Sequence, residues 1–160
     1  MSGAQKTVKD SQVEMVEIVF PNDANPLGNV FGGRVMQLID VVGSISAMRH
    51  ARNTVVTASM DQLDFKNAVR VGEVLILNAS VNYVATTSME VGVKVIAENP
   101  LTGERRHTSS AYLTYVSIDV SGNPVPVPPI VPETEAEKRR YAEAQIRRKH
   151  RLAIRAMKKA

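Results

Sequence analysis

The sequence predicts an α+β fold in which one long buried helix packs against a curled antiparallel sheet. Three observations carry that prediction. A β-periodic segment at 13–20 runs into a loop rich in glycine and asparagine, residues 34–49 are apolar on every side, and four further β-branched stretches follow, joined by short turns. At 160 residues the chain has room for one such domain and an appendage, and a domain of this size buries roughly 70% of its unfolded surface.

The first element, VEMVEIVF at 13–20, sets Val16, Ile18 and Phe20 on one face and Val13, Met15 and Val19 on the other, the two-residue period of a strand. PNDANPLGNVFGG at 21–33 holds two prolines, three asparagines and three glycines, so turn chemistry makes it a loop. From Arg34 to Arg49 apolar residues fall on every side, at Val35, Met36, Leu38, Ile39, Val41, Val42, Ile45, Ala47 and Met48, the mark of a buried helix. Strands are expected at 54–65, 73–85, 88–98 and 106–118. The joints VRVGE, ATTS and NPLTGER make neighbouring strands antiparallel. Residues 122–132 carry five of the eight prolines and run extended as a linker, after which Pro132-Glu133-Thr134 and an acidic first turn open a last helix over 133–160. The domain proper is 1–121, with residues 1–11 read as a flexible start.

Composition removes several classes of function. There is no cysteine, which excludes disulfides, thiolate nucleophiles and cysteine zinc sites. His50, His107 and His150 are far apart in sequence, with no metal-ligand spacing among them. Nothing at the start of the chain has the apolar core of a signal peptide and no apolar run is long enough to span a bilayer, so the expected location is cytoplasmic. The net charge of +4 is concentrated in the tail, where 133–160 carries ten Lys/Arg against four Glu and leaves residues 1–132 at −2. The pattern favours a solvated tail helix packed through Tyr141, Ile146, Leu152 and Ile154. Binding of anionic ligands ranks next, and nucleic acid last, because Tyr141 is the lone aromatic platform in the tail.

Asp40 is the anomaly. Within an apolar helix it lies near Met36, Gly43, Ser44 and Ala47, a narrow face where a helix or an extended ligand could approach closely. An ionised carboxylate buried without a partner is expensive, so Asp40 is either functional or on a solvated stripe paired with Lys or Arg. Gly32 and Gly33 stand at the helix start, where unpaired N–H groups can hold an oxyanion or simply make a tight turn. Asn25 and Asp23 precede them and can donate, accept or cap the loop. Gly28 to Val35 nearly fits a phosphate-binding loop, but Arg34 and Val35 replace the lysine and hydroxyl that chemistry needs. Ser44 and Ser46 lack the strand–turn setting of a nucleophilic serine.

PNDANPLGNVFGGRVMQLID at 21–40 resembles the signature of the acyl-CoA hydrolases of the hot-dog superfamily, in particular the bacterial YciA-like and the brain-type long-chain enzymes. The similarity continues through 55–73, 88–106 and 127–141, nearly the whole chain. The resemblance implies a hot-dog fold, a long helix wrapped by a five- to six-stranded antiparallel sheet, with dimers that assemble further, commonly as trimers of dimers. It implies hydrolysis of fatty acyl-CoA to free acid and CoA without metal or other cofactor, at a dimer interface where Asn25 of one protomer faces Asp40 of the other. Asp40 would be the general base on water, or a nucleophile giving a mixed anhydride; Asn25 would orient water or thioester, and the amides at Gly32 and Gly33 would hold the oxyanion. Thr57, Ala58, Ser59, Phe65 and Lys66 would line the pantetheine groove, with Ser88 and Arg106 near the phosphates. Asp23 stays open as the alternative base, since other hot-dog thioesterases keep the acid in the loop before the helix. Two rivals share the fold: a dehydratase or hydratase, which would need a histidine near Asp40, and a non-catalytic acyl-CoA-binding regulator, whose usual helix-turn-helix is not found here. No nucleic-acid partner and no membrane insertion are expected.

Overall fold

The computed structural model describes residues 5–61 and 63–159. In chain order these form β1 (Lys6–Thr7), a 3-10 turn (Val8–Ser11), β2 (Val13–Ile18), a second 3-10 turn (Pro21–Asp23), α1 (Gly32–Ala51), β3 (Val55–Met60), β4 (Val74–Val84), β5 (Ser88–Glu98), β6 (Arg105–Ser117), β7 (Ile130–Val131) and α2 (Glu135–Lys158). Five strands pair antiparallel in the order β2-β4-β5-β6-β3. β2 and β3 are the edges, and α1, which joins them in sequence, crosses the sheet and touches all five strands. A hot-dog arrangement results.

The core follows from alternation. Leu75, Leu77, Ala79 and Val81 of β4, Val91, Val93, Val95 and Ala97 of β5, and Ala111, Leu113 and Tyr115 of β6 face inward. They meet Val35, Leu38, Ile39, Val42 and Ala47 of α1. The helix is not covered all round, however. Met36, Val41 and Met48 are more than two-fifths exposed, because the sheet can enclose only one side of α1.

The strand expected over 54–65 ends at Met60; Gln62 lies outside the described residues. Beyond Met60 the chain leaves the regular ladder, and Asp61 is drawn to Arg151 of α2 at 3.0 Å. The flexible start expected over 1–11 is corrected where it is described: Lys6 and Thr7 pair in parallel with Ile130 and Val131, and Val8 and Ser11 are buried. Residues 1–4 lie outside the described part. Ser11 accounts for this docking, since its hydroxyl accepts from Val81 N–H at 2.9 Å and its carbonyl accepts from Ser46 of α1 at 2.7 Å.

α2 lies on the outer face of the sheet. Its contact row is Tyr141, Ala144, Arg147 and Arg151, whereas Ile146, Leu152 and Ile154, expected to pack, are exposed. The reason is electrostatic: Glu90 on β5 is 2% exposed, and the helix turns its arginines toward it. Among the described residues no helix is long and apolar enough to cross a membrane.

Residues 122–132 are secured to α1 by His50, whose ring is fully buried and bonds through Nε2 to the Pro128 carbonyl at 2.7 Å. Because a carbonyl only accepts, Nε2 carries the proton; Nδ1 is then buried without a partner among the described residues. Burial, and then the charge of Lys6, hold the ring below its ordinary pKa, against the Pro128 bond and Asp10, which raise it. The unfolded chain therefore takes up the proton first as pH falls, so this stabilisation is whole above the ordinary value of 6.5 and declines below it. Unfolding free energies from urea titrations are expected to fall between pH 7.5 and 5.5, by at most about 1.4 kcal/mol per pH unit from this group, and to fall less in His50→Gln.

Candidate active site

Asp40 sits on the α1 face that crosses β6 and β3, partly open to solvent. Its Oδ1 accepts from the Thr57 hydroxyl at 2.8 Å and from the Tyr115 hydroxyl at 2.9 Å. The Tyr115 hydroxyl also lies 3.0 Å from the main-chain oxygen of Asp40, so its single proton is shared between the two. Among the described residues Oδ2 has no hydrogen-bond partner, and no histidine or basic side chain pairs with the carboxylate. The solvated-stripe reading with a Lys or Arg partner is thus not what holds Asp40.

Two local features build this contact. A β-bulge between Thr57 and Ser59 makes Ala58 the extra residue and turns β3 where Thr57 must reach the helix. Gly43, one turn after Asp40, leaves the space for Tyr115; a Cβ there would lie 2.5 Å from the tyrosine oxygen. Of the small face seen in the sequence, Gly43 is covered by this ring while Met36 stays exposed. Burial first, and the neighbouring Asp40 carboxylate second, push the phenol well above its usual range, so it remains a donor at all working pH values.

A second set lies near the start of α1. A cleft of about 340 Å3 is lined by Asn25, Gly32, Phe65 and Lys66, with Val35 and Thr108 beneath. Asn25 Oδ1 is committed to the loop, accepting from Leu27 and Asn29 N–H at 3.0 and 3.2 Å, while its amide nitrogen has no partner among the described residues. α1 has no side-chain N-cap, unlike α2, where Thr134 and Glu137 cap reciprocally. The N–H groups of Gly32 and Gly33 are accordingly unpaired within the described residues, and a Cβ at Gly33 would meet nothing within 4 Å.

The remaining expected residues fall in neither set. Ser88 lies opposite Val116 at the start of β5. Arg106 forks onto Glu73 with two contacts of 2.7 Å and donates to Ala68 O at 2.6 Å, and this guanidinium holds the Glu73 carboxyl below the usual carboxylate range. Asp23 is paired with Arg34 at 3.2 Å and accepts from Phe20 N–H at 3.1 Å, so both its oxygens serve the loop. Among the described residues no group of three or more His, Asp or Glu could hold a metal ion.

The thioesterase superfamily profile matches residues 27–104. A Bacillus subtilis protein described as an uncharacterized acyl-CoA thioester hydrolase is 44% identical over 153 residues, covering 91% of this chain and 89% of that one. The chain belongs to the thioesterase superfamily. Among solved structures, an apo-hexameric acyl-CoA thioesterase superposes on this thioesterase with a TM-score of 0.91 at 44% identity, over 96% of this chain and 99% of that one. The Staphylococcus aureus acyl-CoA hydrolase, solved with butyryl coenzyme A and coenzyme A, gives 0.91 at 36% identity, over 98% and 95%. Alanine variants of that enzyme replace an asparagine, an aspartate and a threonine spaced 15 and 17 residues apart, the spacing of Asn25, Asp40 and Thr57 here. Of the rat cytosolic acyl coenzyme A thioester hydrolase, 39% identical, the thioesterase spans only 37%.

Sequence reasoning missed Tyr115, because an inward strand tyrosine reads as ordinary core. The available signal was Gly43, a helix-destabilising residue one turn from the anomalous aspartate.

Proposed function

We propose that this thioesterase hydrolyses fatty acyl-CoA to the free acid and CoA at a site shared by two protomers, with Asp40 as general base. The observation that carries the reading is the Asp40 carboxylate, anchored through one oxygen and open at the other. The seven residues from Gly33 to Asp40 span about 10 Å along a helix. One protomer therefore cannot set both its own glycine amides and its own Asp40 on one thioester carbonyl. A second copy, turned about the exposed Met36, Val41 and Val56 and the unpaired β3 edge, would bring Asn25 and Gly33 to the partner's carboxylate. The spacing shared with the S. aureus variants supports the same residues.

In this mechanism Asp40 takes a proton from water, whose oxygen adds to the thioester carbon. The amides at Gly32 and Gly33 hold the oxyanion while Asn25, through its amide nitrogen, orients the water or the carbonyl. The tetrahedral species collapses with C–S cleavage, the electron pair leaves with sulfur, and the proton on Asp40 passes to the thiolate or to solvent. A thiolate is a good leaving group, so no separate acid is needed. Thr57, Ala58, Ser59, Phe65 and Lys66 would line the pantetheine path. Ser88 would lie beyond it, and Arg106 could meet phosphate only by sharing its bond to Glu73. The proposed setting is the cytoplasm and the proposed assembly a trimer of dimers, in line with relatives described as cytosolic and as hexameric.

Thiol release from acyl-CoA esters of graded chain length tests the activity; no release at any length would favour the binding-module reading. Mixed protomers test the shared site. Asn25→Ala and Asp40→Asn, each inactive alone, are expected to recover about one quarter of wild-type turnover when co-assembled, since half the dimers then carry one intact site of two. No recovery would place the site within one protomer.

A further inference from the structure

We propose that Tyr115 is a positioning residue of the hydrolysis: with Thr57 it pins Oδ1 of Asp40 and leaves Oδ2 as the oxygen that accepts the proton from water. This rests on the reading of Asp40 as base. Three observations lead to it. Both hydroxyls converge on the same oxygen, at 2.8 and 2.9 Å, while Oδ2 is left without a partner among the described residues. The two donors come from neighbouring strands, since Thr57 and Tyr115 are paired across β3 and β6, so the carboxylate is set against the sheet as well as the helix. The approach is also built into α1: Gly43 weakens a helix interior, and its lack of Cβ is what admits the tyrosine oxygen.

A carboxylate that turned freely about its χ2 would present either oxygen, in many directions. Two convergent donors remove that freedom and orient the lone pairs of Oδ2 outward. A donor held on a carboxylate favours its charged form, so loss of the phenol is read in the pH dependence of turnover. A buried tyrosine that only satisfied its own hydroxyl would pack the core and leave the titration of the site untouched.

The pH dependence of kcat separates these roles, measured with the acyl-CoA ester that wild type turns over fastest. Tyr115→Phe is expected to lower kcat roughly 10- to 100-fold with little change in KM, and to move the acidic limb of the profile up. Site-specific replacement of Tyr115 by 3-fluorotyrosine, nearly isosteric and a stronger donor, is expected to move that limb down, and serves even if the phenylalanine variant folds poorly. Gly43→Ala, which crowds the tyrosine oxygen, is expected to shift it upward. Profiles that superpose on wild type for Tyr115→Phe and for the fluorotyrosine protein, with Asp40→Asn inactive, would overturn the positioning role and leave the base in place. An active Asp40→Asn would remove the base and this inference with it.

Discussion

Asp40→Asn is expected to lower kcat for thioester hydrolysis by roughly 10²–10⁴-fold, the usual contribution of a placed general base. The substitution is informative because the geometry around it is conserved. The amide oxygen of asparagine can still accept from Thr57 and Tyr115, as Oδ1 of Asp40 does at 2.8 and 2.9 Å. The amide nitrogen then stands where Oδ2 was, a donor in place of a base. Folding and assembly should therefore be nearly unchanged, and thermal melts recorded beside the kinetics will show whether they are. Residual turnover is attributed to the glycine amides and to approximation of water and ester. A variant that keeps a third of wild-type turnover would exclude Asp40 as the base.

The second large effect is on stability, and it lies far from Asp40. Glu90 accepts from Arg147 Nη2 at 2.7 Å and Nε at 3.1 Å, and from Asn82 at 3.2 Å, while Arg151 stands 3.5 Å away. The Arg147 guanidinium also lies 3.7 Å from the centre of the Tyr112 ring. Arg147→Met removes the principal partner of a carboxylate that is 2% exposed, so the charge left behind is poorly solvated. The cost of breaking such a pair from one side is about 3–5 kcal/mol, on the order of 10 °C in melting temperature for a chain of this size. Adding Glu90→Gln should restore more than half of the loss, because the neutral amide needs no counter-charge and can still accept from Asn82. A single variant within 1 kcal/mol of wild type would mean that the ion pair does not hold α2 to the sheet.

These two sites were not equally legible in the sequence. Asp40 stood out because an aspartate inside an apolar helix conflicts with its surroundings, and the glycine pair before it marked the helix start. Glu90 offered no such contrast: in SMEVGVKV it alternates with apolar residues, as any solvent-facing strand residue does. Its burial comes from α2, whose side of contact was misread for the same reason. Ile146, Leu152 and Ile154 looked like the packing face, yet the helix presents Arg147 and Arg151 to an acid that only the folded sheet puts there. The docking of the segment from Lys6 to Ser11 was invisible too, since the parallel pairing of Lys6 and Thr7 with Ile130 and Val131 has no sequence period to announce it.

Periodicity, turn residues and capping are local, and from them the order of the five main strands and the two helices, the loop before α1 and the oddity of Asp40 could be read directly. The partners of that aspartate could not. Tyr115 lies 75 residues away in sequence, and only the crossing of α1 over β6, with Gly43 leaving room for the ring, brings the phenol to the carboxylate. Side-chain chemistry is written in the chain, but which groups meet depends on where one element crosses another, and that is settled by the packing of the core as a whole.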